Sequence, residues 1–175
     1  QVTLNISLKT NPQIAKLKKD EESLGDLMKL KPEELLLRWF NYHLEKVGYD
    51  GAPIKNFGKD VADATRYAAL LHSINATCIP ASVPGDASGR ASMVLEAAAG
   101  LGVPVFIKAR DILAADKNLN LTFCAEVFNH CPGLDDVVVE AAELESLEKL
   151  LAEEEGAGNS REERVFAQWL NSLHL

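Results

Sequence analysis

The stretch Lys31-Pro32-Glu33-Glu34-Leu35-Leu36-Leu37-Arg38-Trp39-Phe40-Asn41-Tyr42-His43-Leu44-Glu45-Lys46-Val47-Gly48 decides the fold class. Pro32 sits near the first helical position, where its missing N–H is no loss, and Glu33 and Glu34 follow in the turn where the helix dipole favours carboxylates. Leu36, Trp39, Phe40, His43, Leu44 and Val47 recur at i, i+3, i+4, i+7, i+8 and i+11, and Gly48 ends the run. One continuous apolar face of this kind predicts core burial, with His43 a hydrogen-bonded core residue rather than a ligand. Arg38, Asn41, Glu45 and Lys46 point elsewhere. Leu35 and Tyr42 lie on the flank of the stripe, where an apolar side chain stays exposed or meets a neighbour.

Working outward, a Gly/Pro/Asn-rich loop (51–59) leads to Asp63, placed to cap a helix whose apolar set is Ala64, Tyr67, Ala68, Leu71 and Ile74. The stretch 77–85 holds Pro80, Pro84 and Gly85 and is irregular. Asp86 or Ser88 then opens a helix carrying Ala91, Val94, Leu95 and Ala98, closed by Gly100 and Gly102. Val103-Pro104-Val105-Phe106-Ile107 is strand-like, but its interior Pro demotes it to an extended segment. A short helical turn over 109–113 precedes a helix over about 118–129, where Leu121, Phe123, Cys124, Val127 and Phe128 occupy more than one face. That helix should be buried nearly all round and central. The expectation is an all-α single domain over residues 31–133, a compact helical bundle around a buried central helix.

Residues 1–30 read as a leader or interdomain connector, with a helix start at Thr10-Asn11-Pro12 continued by Ile14 and Leu17, and a second short piece at Leu24, Leu27 and Met28. The net charge of −8 is uneven: residues 134–160 hold nine acids and one base, and the remainder sums to zero. This acidic stretch reads as a solvated linker, with a partial helix through Leu144, Leu147, Leu150 and Leu151 as the alternative. Residues 161–175 then repeat the opening pattern: Trp169-x-Asn171 follows Trp39-x-Asn41 at a spacing of 130, each with an acidic pair ahead. A tandem array with a truncated second copy is the expectation, and with the missing initiator Met it suggests a piece of a longer chain.

The neutral body argues against nucleic acid as a ligand. No apolar run approaches the roughly 20 residues needed to cross a bilayer, and no targeting address is seen. Three cysteines, Cys78, Cys124 and Cys131, encode neither a disulfide framework nor a zinc site, which suggests a reduced cytoplasmic compartment. Three N-x-S/T sequons, at Asn5, Asn75 and Asn120, are treated as chance. An enzyme would need an activated nucleophile. Cys124 falls on an apolar helix face, and Cys131 beside His130 is a sequence neighbour rather than an aimed partner. With no phosphate-cradling loop, H-E-x-x-H or calcium loop, neither catalysis nor a metal or cofactor is expected.

Leu36-Leu37-Arg38-Trp39-Phe40-Asn41-Tyr42-His43-Leu44, then Asn56-Phe57 leading to Asp60-Val61-x-Asp63, Tyr67-x-x-Leu70-Leu71, and Leu119-Asn120-Leu121-x-Phe123-x-x-x-Val127-Phe128-Asn129 with Pro132 resemble a calponin-homology domain. The chain is similar, more specifically, to the second such domain of the fimbrin, or plastin, family. Ile6-Ser7-Leu8-Lys9 with Asn11-Pro12 resembles the joint from the first domain, and 161–175 the first helix of the third. Two departures stand out: the 77–86 region is shorter and more Pro/Ala-rich than the family's acidic loop, and Lys108 stands where the family offers a Thr cap.

The resemblance implies an actin-filament-binding module of a filament cross-linker, working in the cytoplasmic actin cytoskeleton, contributing a minor contact or restraining its tandem partner. Its partners would be filamentous actin and the adjacent calponin-homology domains, with no nucleic acid and no membrane, and the chain alone would be monomeric. Direct contact would fall on Arg38, Tyr42, Glu45 and Lys46 of the first long helix, against the alternative of a solvated helix face. A purely structural or regulatory domain, packing on its neighbours through Leu35, Tyr42, Ile14 and Leu17 without touching actin, is the second expectation.

Overall fold

The computed structural model describes Ile6, residues 11–134 and Lys149. The expectations for the acidic linker beyond Leu134 and for the repeat at 161–175 lie outside the described residues, Lys149 apart. Regular structure is helical throughout: a 3-10 turn at Pro12–Leu17, α1 (Leu24–Met28), α2 (Pro32–Lys46), a second 3-10 turn at Lys59–Val61, α3 (Thr65–Ile74), α4 (Ala87–Gly100), α5 (Ala109–Leu113) and α6 (Lys117–His130). There is no strand among the described residues, and Val103–Phe106 takes no regular structure. Ile6 groups with residues 31–134 in one compact unit, although the sequence assigned it to the leader; residues 11–30 and Lys149 group in another.

Helix starts follow the acidic side chains. Asp86 accepts from the Gly89 N–H at 2.7 Å to open α4, and Asp116 accepts from the Leu119 N–H at 3.0 Å to open α6. Where the sequence puts Lys31 and Lys108 at the cap, the acid three residues on takes the cap's own N–H: Glu34 from Lys31 and Asp111 from Lys108, both at 2.8 Å. Lys108 therefore starts α5 without a hydroxyl cap. The start of α3 corrects the sequence reading. Asp63 lies one residue outside the cap, holding Thr65 through its N–H at 3.0 Å and its hydroxyl at 2.8 Å, while Ala64 occupies the cap with a left-handed φ of 63°.

The predicted stripe of α2 is buried, with Leu36, Trp39, Phe40 and His43 at 0% exposure. Val47 is half-buried, beyond the helix end. Trp39 meets Phe128 edge-on at 5.2 Å, Phe40 meets Tyr67 at 5.6 Å, and Tyr67 meets Phe123 at 5.5 Å, so α2, α3 and α6 share an aromatic centre. In α6, every residue from Leu119 to Phe128 is buried or half-buried. The same deep burial extends to α3, where Tyr67 to Leu71 are five consecutive buried residues between α2 and α4.

Candidate functional site

The candidate residues of α2 form a strip at i, i+4, i+7 and i+8. Along it Arg38 and Tyr42 are half-buried and Glu45 and Lys46 exposed. The Tyr42 ring leans edge-on against the buried His43 ring at 5.4 Å, which limits its freedom. Two cations and one carboxylate leave the strip with a small positive excess. Leu35, assigned by the sequence to a flank that could remain exposed, is 2% exposed. Ile14 and Leu17, on the 3-10 turn, are likewise buried. Of the candidate contact residues, only the four on the strip keep accessible surface.

What fixes the direction of this strip is a set of polar ties on the other sides of α2. Trp39 Nε1–H donates to the Pro132 carbonyl at 2.7 Å, and His43 Nε2 lies 2.9 Å from the same oxygen. A carbonyl can only accept, so Nε2 carries the proton and Nδ1 accepts from the Ser73 hydroxyl at 2.7 Å. Burial holds the imidazole down at about 4, against the support of the Pro132 bond and with a smaller push from Lys46. His43 is thus a neutral, fully bonded core residue, as its place in the stripe implied.

On a third side, the Asn41 carboxamide donates to the Ile54 carbonyl at 3.0 Å and accepts from the Ile54 N–H at 2.8 Å. One side chain therefore satisfies both backbone groups of Ile54 and pins the 51–59 loop to α2. Asp60 closes that loop from within, accepting from the N–H of Lys55 at 2.7 Å and of Asn56 at 3.2 Å. Lys117, at the start of α6, pairs with Glu33 at 2.8 Å, at the start of α2. The sequence reading gave Asn41, Ser73 and Pro132 no structural task. Asn41 had a signal: a carboxamide inside a helix competes for backbone partners, and here the partner is a loop.

Among the described residues, the thiols and remaining histidines do not assemble into a catalytic group. Cys124 is fully buried, and burial pushes its thiol well above the usual range. His130 turns to Glu126, 3.0 Å from its carbonyl and 3.6 Å from its carboxylate, while the Cys131 thiol faces the Leu101 carbonyl at 3.6 Å. His72 Nδ1 is occupied by the Ile79 carbonyl at 2.8 Å. Among the described residues no cluster of three His, Cys, Asp or Glu could hold a metal ion, and no helix is long and apolar enough to cross a membrane.

With this geometry in place, comparison with known proteins gives a consistent answer. Residues 30–133 match the calponin homology (CH) domain. Fimbrin-4 of Arabidopsis thaliana is 38% identical across 99% of this chain, and fimbrin of Saccharomyces cerevisiae 38% across 97%. Plastin-3 of Homo sapiens is 37% identical across 97%. The chain spans about a quarter of these relatives, 26–27% of their length. The crystal structure of the actin-crosslinking core of Schizosaccharomyces pombe fimbrin superposes with a TM-score of 0.60 at 31% identity, over 77% of this chain and 26% of that one.

Proposed function

The chain belongs to the calponin-homology domain family, and from that premise we propose that it is an actin-filament-binding module of a fimbrin-like cross-linking protein. The observation that carries the reading is the extent of the likeness. Identity to fimbrins and plastins runs through 97–99% of the chain, well past the limits of the domain at 30–133. A domain that merely shared the fold would match over the domain alone.

The module's role is mechanical rather than catalytic, and it belongs to the actin cytoskeleton. Cross-linking needs two filament-binding units on one chain, so that the second contact becomes intramolecular once the first is made. This chain supplies part of one unit. Its contribution is a minor contact through Arg38, Tyr42, Glu45 and Lys46, or restraint of a tandem partner domain, for which Tyr42 keeps accessible surface while Leu35, Ile14 and Leu17 are buried. The small charge of the strip supports a minor contact, because strong steering toward an acidic filament would need a dense cationic patch. The half-buried Tyr42 supports the alternative of packing on a neighbouring domain without touching actin.

High-speed co-sedimentation with filamentous actin tests the proposal, comparing this chain with the same chain preceded by a first calponin-homology domain. The expected outcome is weak pelleting alone and saturable pelleting of the pair. Pelleting of neither would overturn the actin assignment. Saturable pelleting of the single chain at similar affinity would make α2 the principal site instead of a minor one.

A further inference from the structure

We propose that the cavity where α2 ends beside α3 binds a primary ammonium group carried on an apolar stem. The cavity measures about 390 Å³ and is built from three pieces: Val47 to Asp50 beyond α2, Thr65 and Ala69 on α3, and Ala81 to Val83. The last piece belongs to the 77–86 stretch, whose Pro and Ala content departs from the family pattern. The third wall is therefore this chain's own, and filament binding gives it no task.

The walls are set before any ligand arrives. His72 of α3 is bonded through Nδ1 to the Ile79 carbonyl at 2.8 Å, and Arg90 of α4 donates to the Gly85 carbonyl, so the 79–85 segment is tied to a helix at each end. Val83 is 6% exposed. Across from it, Tyr49 is folded closely over Gly51, where a Cβ would run into the ring, and its hydroxyl lies 3.1 Å from the Thr65 hydroxyl.

The hydrogen bonds fix the polarity of the site. Thr65 has one hydroxyl proton and gives it to Asp63 Oδ1 at 2.8 Å, because a carboxylate only accepts. Tyr49 must then be the donor to Thr65, which leaves the Tyr49 oxygen an acceptor for anything else. Asp50 adds an exposed carboxylate with no hydrogen-bond or ion-pair partner among the described residues. Val47 and Gly48 add the C-terminal end of α2, where the helix dipole is negative and favours cations. Of the lining side chains, only that of Ser82 can still donate. An ammonium, with three N–H donors and no acceptor, matches this set, and Val47, Ala69 and Val83 suit a short hydrocarbon stem. Arg66 does not fill the role. It lies outside the lining, donating to the Ala52 carbonyl at 3.1 Å and the Asp60 carbonyl at 2.8 Å.

The test titrates benzylammonium chloride into the whole 175-residue chain, with amide NMR shifts as the readout and benzyl alcohol as the uncharged match. The expected result is saturable shifts centred on Tyr49, Thr65 and Val83 with a Kd of about 1 mM, a scale set by so few ligand atoms. Benzyl alcohol should bind about tenfold more weakly, and Asp50→Asn should weaken benzylammonium by about as much while leaving benzyl alcohol unchanged. Because Asp50 is exposed, the variant keeps its fold, and unmoved shifts away from the cavity verify this. N-acetyl-lysine amide separates two sources of the ammonium: binding as tight as benzylammonium assigns the cavity to a lysine side chain of another protein, and weaker binding assigns it to a free amine. Absence of saturable shifts at these residues, equal binding of benzyl alcohol, or indifference to Asp50→Asn would overturn the proposal.

Discussion

Trp39 and His43, one helical turn apart on α2, donate to a single oxygen, the carbonyl of Pro132, at 2.7 and 2.9 Å. Both lone pairs of that carbonyl are used, and the two ends of the domain sequence are joined. Because the imidazole must stay neutral to keep its Nδ1 as acceptor for Ser73, the joint depends on pH. Folded His43 titrates at about 4 against an ordinary 6.5, so between these values the unfolded chain binds the proton that the folded chain refuses. Stability from this group is complete above about pH 6.5 and is lost as pH falls toward 4. At about 1.4 kcal/mol per pH unit the loss comes to about 3 kcal/mol. Urea unfolding at pH 7 and pH 4.5 should show it, and His43→Gln should show a smaller pH difference, because the carboxylates common to both proteins cancel.

Gly133→Ala should destabilise the domain by about 2 kcal/mol or more. The residue has φ of 57°, and its new methyl would meet His43 Cε1 at 2.9 Å and Ile74 Cγ1 at 3.1 Å. The left-handed conformation alone costs about 1–2 kcal/mol for a residue with a Cβ, and the two contacts add overpacking. Thermal and urea unfolding measure the loss, and an unchanged midpoint would contradict the close approach.

Ala115→Gly should stabilise by about 0.5–1 kcal/mol, since Ala115 adopts φ of 56° in the turn between α5 and α6 and is only half-buried. Ala64→Gly should not. Its φ of 63° offers the same relief, but its methyl is fully buried, and losing it returns about 0.8 kcal/mol. The difference between the two substitutions, read from urea midpoints, separates backbone strain from burial.

Tyr67→Phe removes a buried hydroxyl that donates to the Asn120 side-chain oxygen at 3.0 Å. Asn120 is itself fully buried, with its amide N–H₂ on the Asp116 carbonyl at 3.0 Å. An acceptor stranded out of water costs about 1–3 kcal/mol, and the unfolding midpoint should fall accordingly.

On the surface, Lys46→Glu in the tandem pair should weaken actin co-sedimentation by about threefold, with the effect shrinking at high salt, as expected of a rim charge. Tyr42→Ala distinguishes the two roles proposed for the strip. A fall in affinity with an intact pair points to direct contact, and a rise points to release of a restraint.

The elements that rest on local chemistry were legible in the sequence. The α2 stripe, the Asp86 cap and the short helix at Ala109–Leu113 all follow from side chains within a few residues of one another. What depends on distant backbone was not. Nothing near Trp39 or His43 announces a carbonyl about 90 residues away, and the amide of Asn41 could have turned to any loop. Leu35 shows the same limit in apolar form: one residue outside a helical stripe, its burial depends on what approaches from outside the helix. At Ala64, pattern placed the helix start but not the left-handed turn that shifts the cap, because Ala rarely adopts that conformation.

The Pro132 carbonyl also sets how the domain would meet a pull. Tension on the chain beyond Gly133 arrives first at one oxygen held by two rings of α2, rather than at the last turn of α6. The load therefore passes into the longest helix of the unit before α6 can be peeled residue by residue. A domain loaded in this way would yield by giving up both ring contacts at once, with a threshold, instead of fraying.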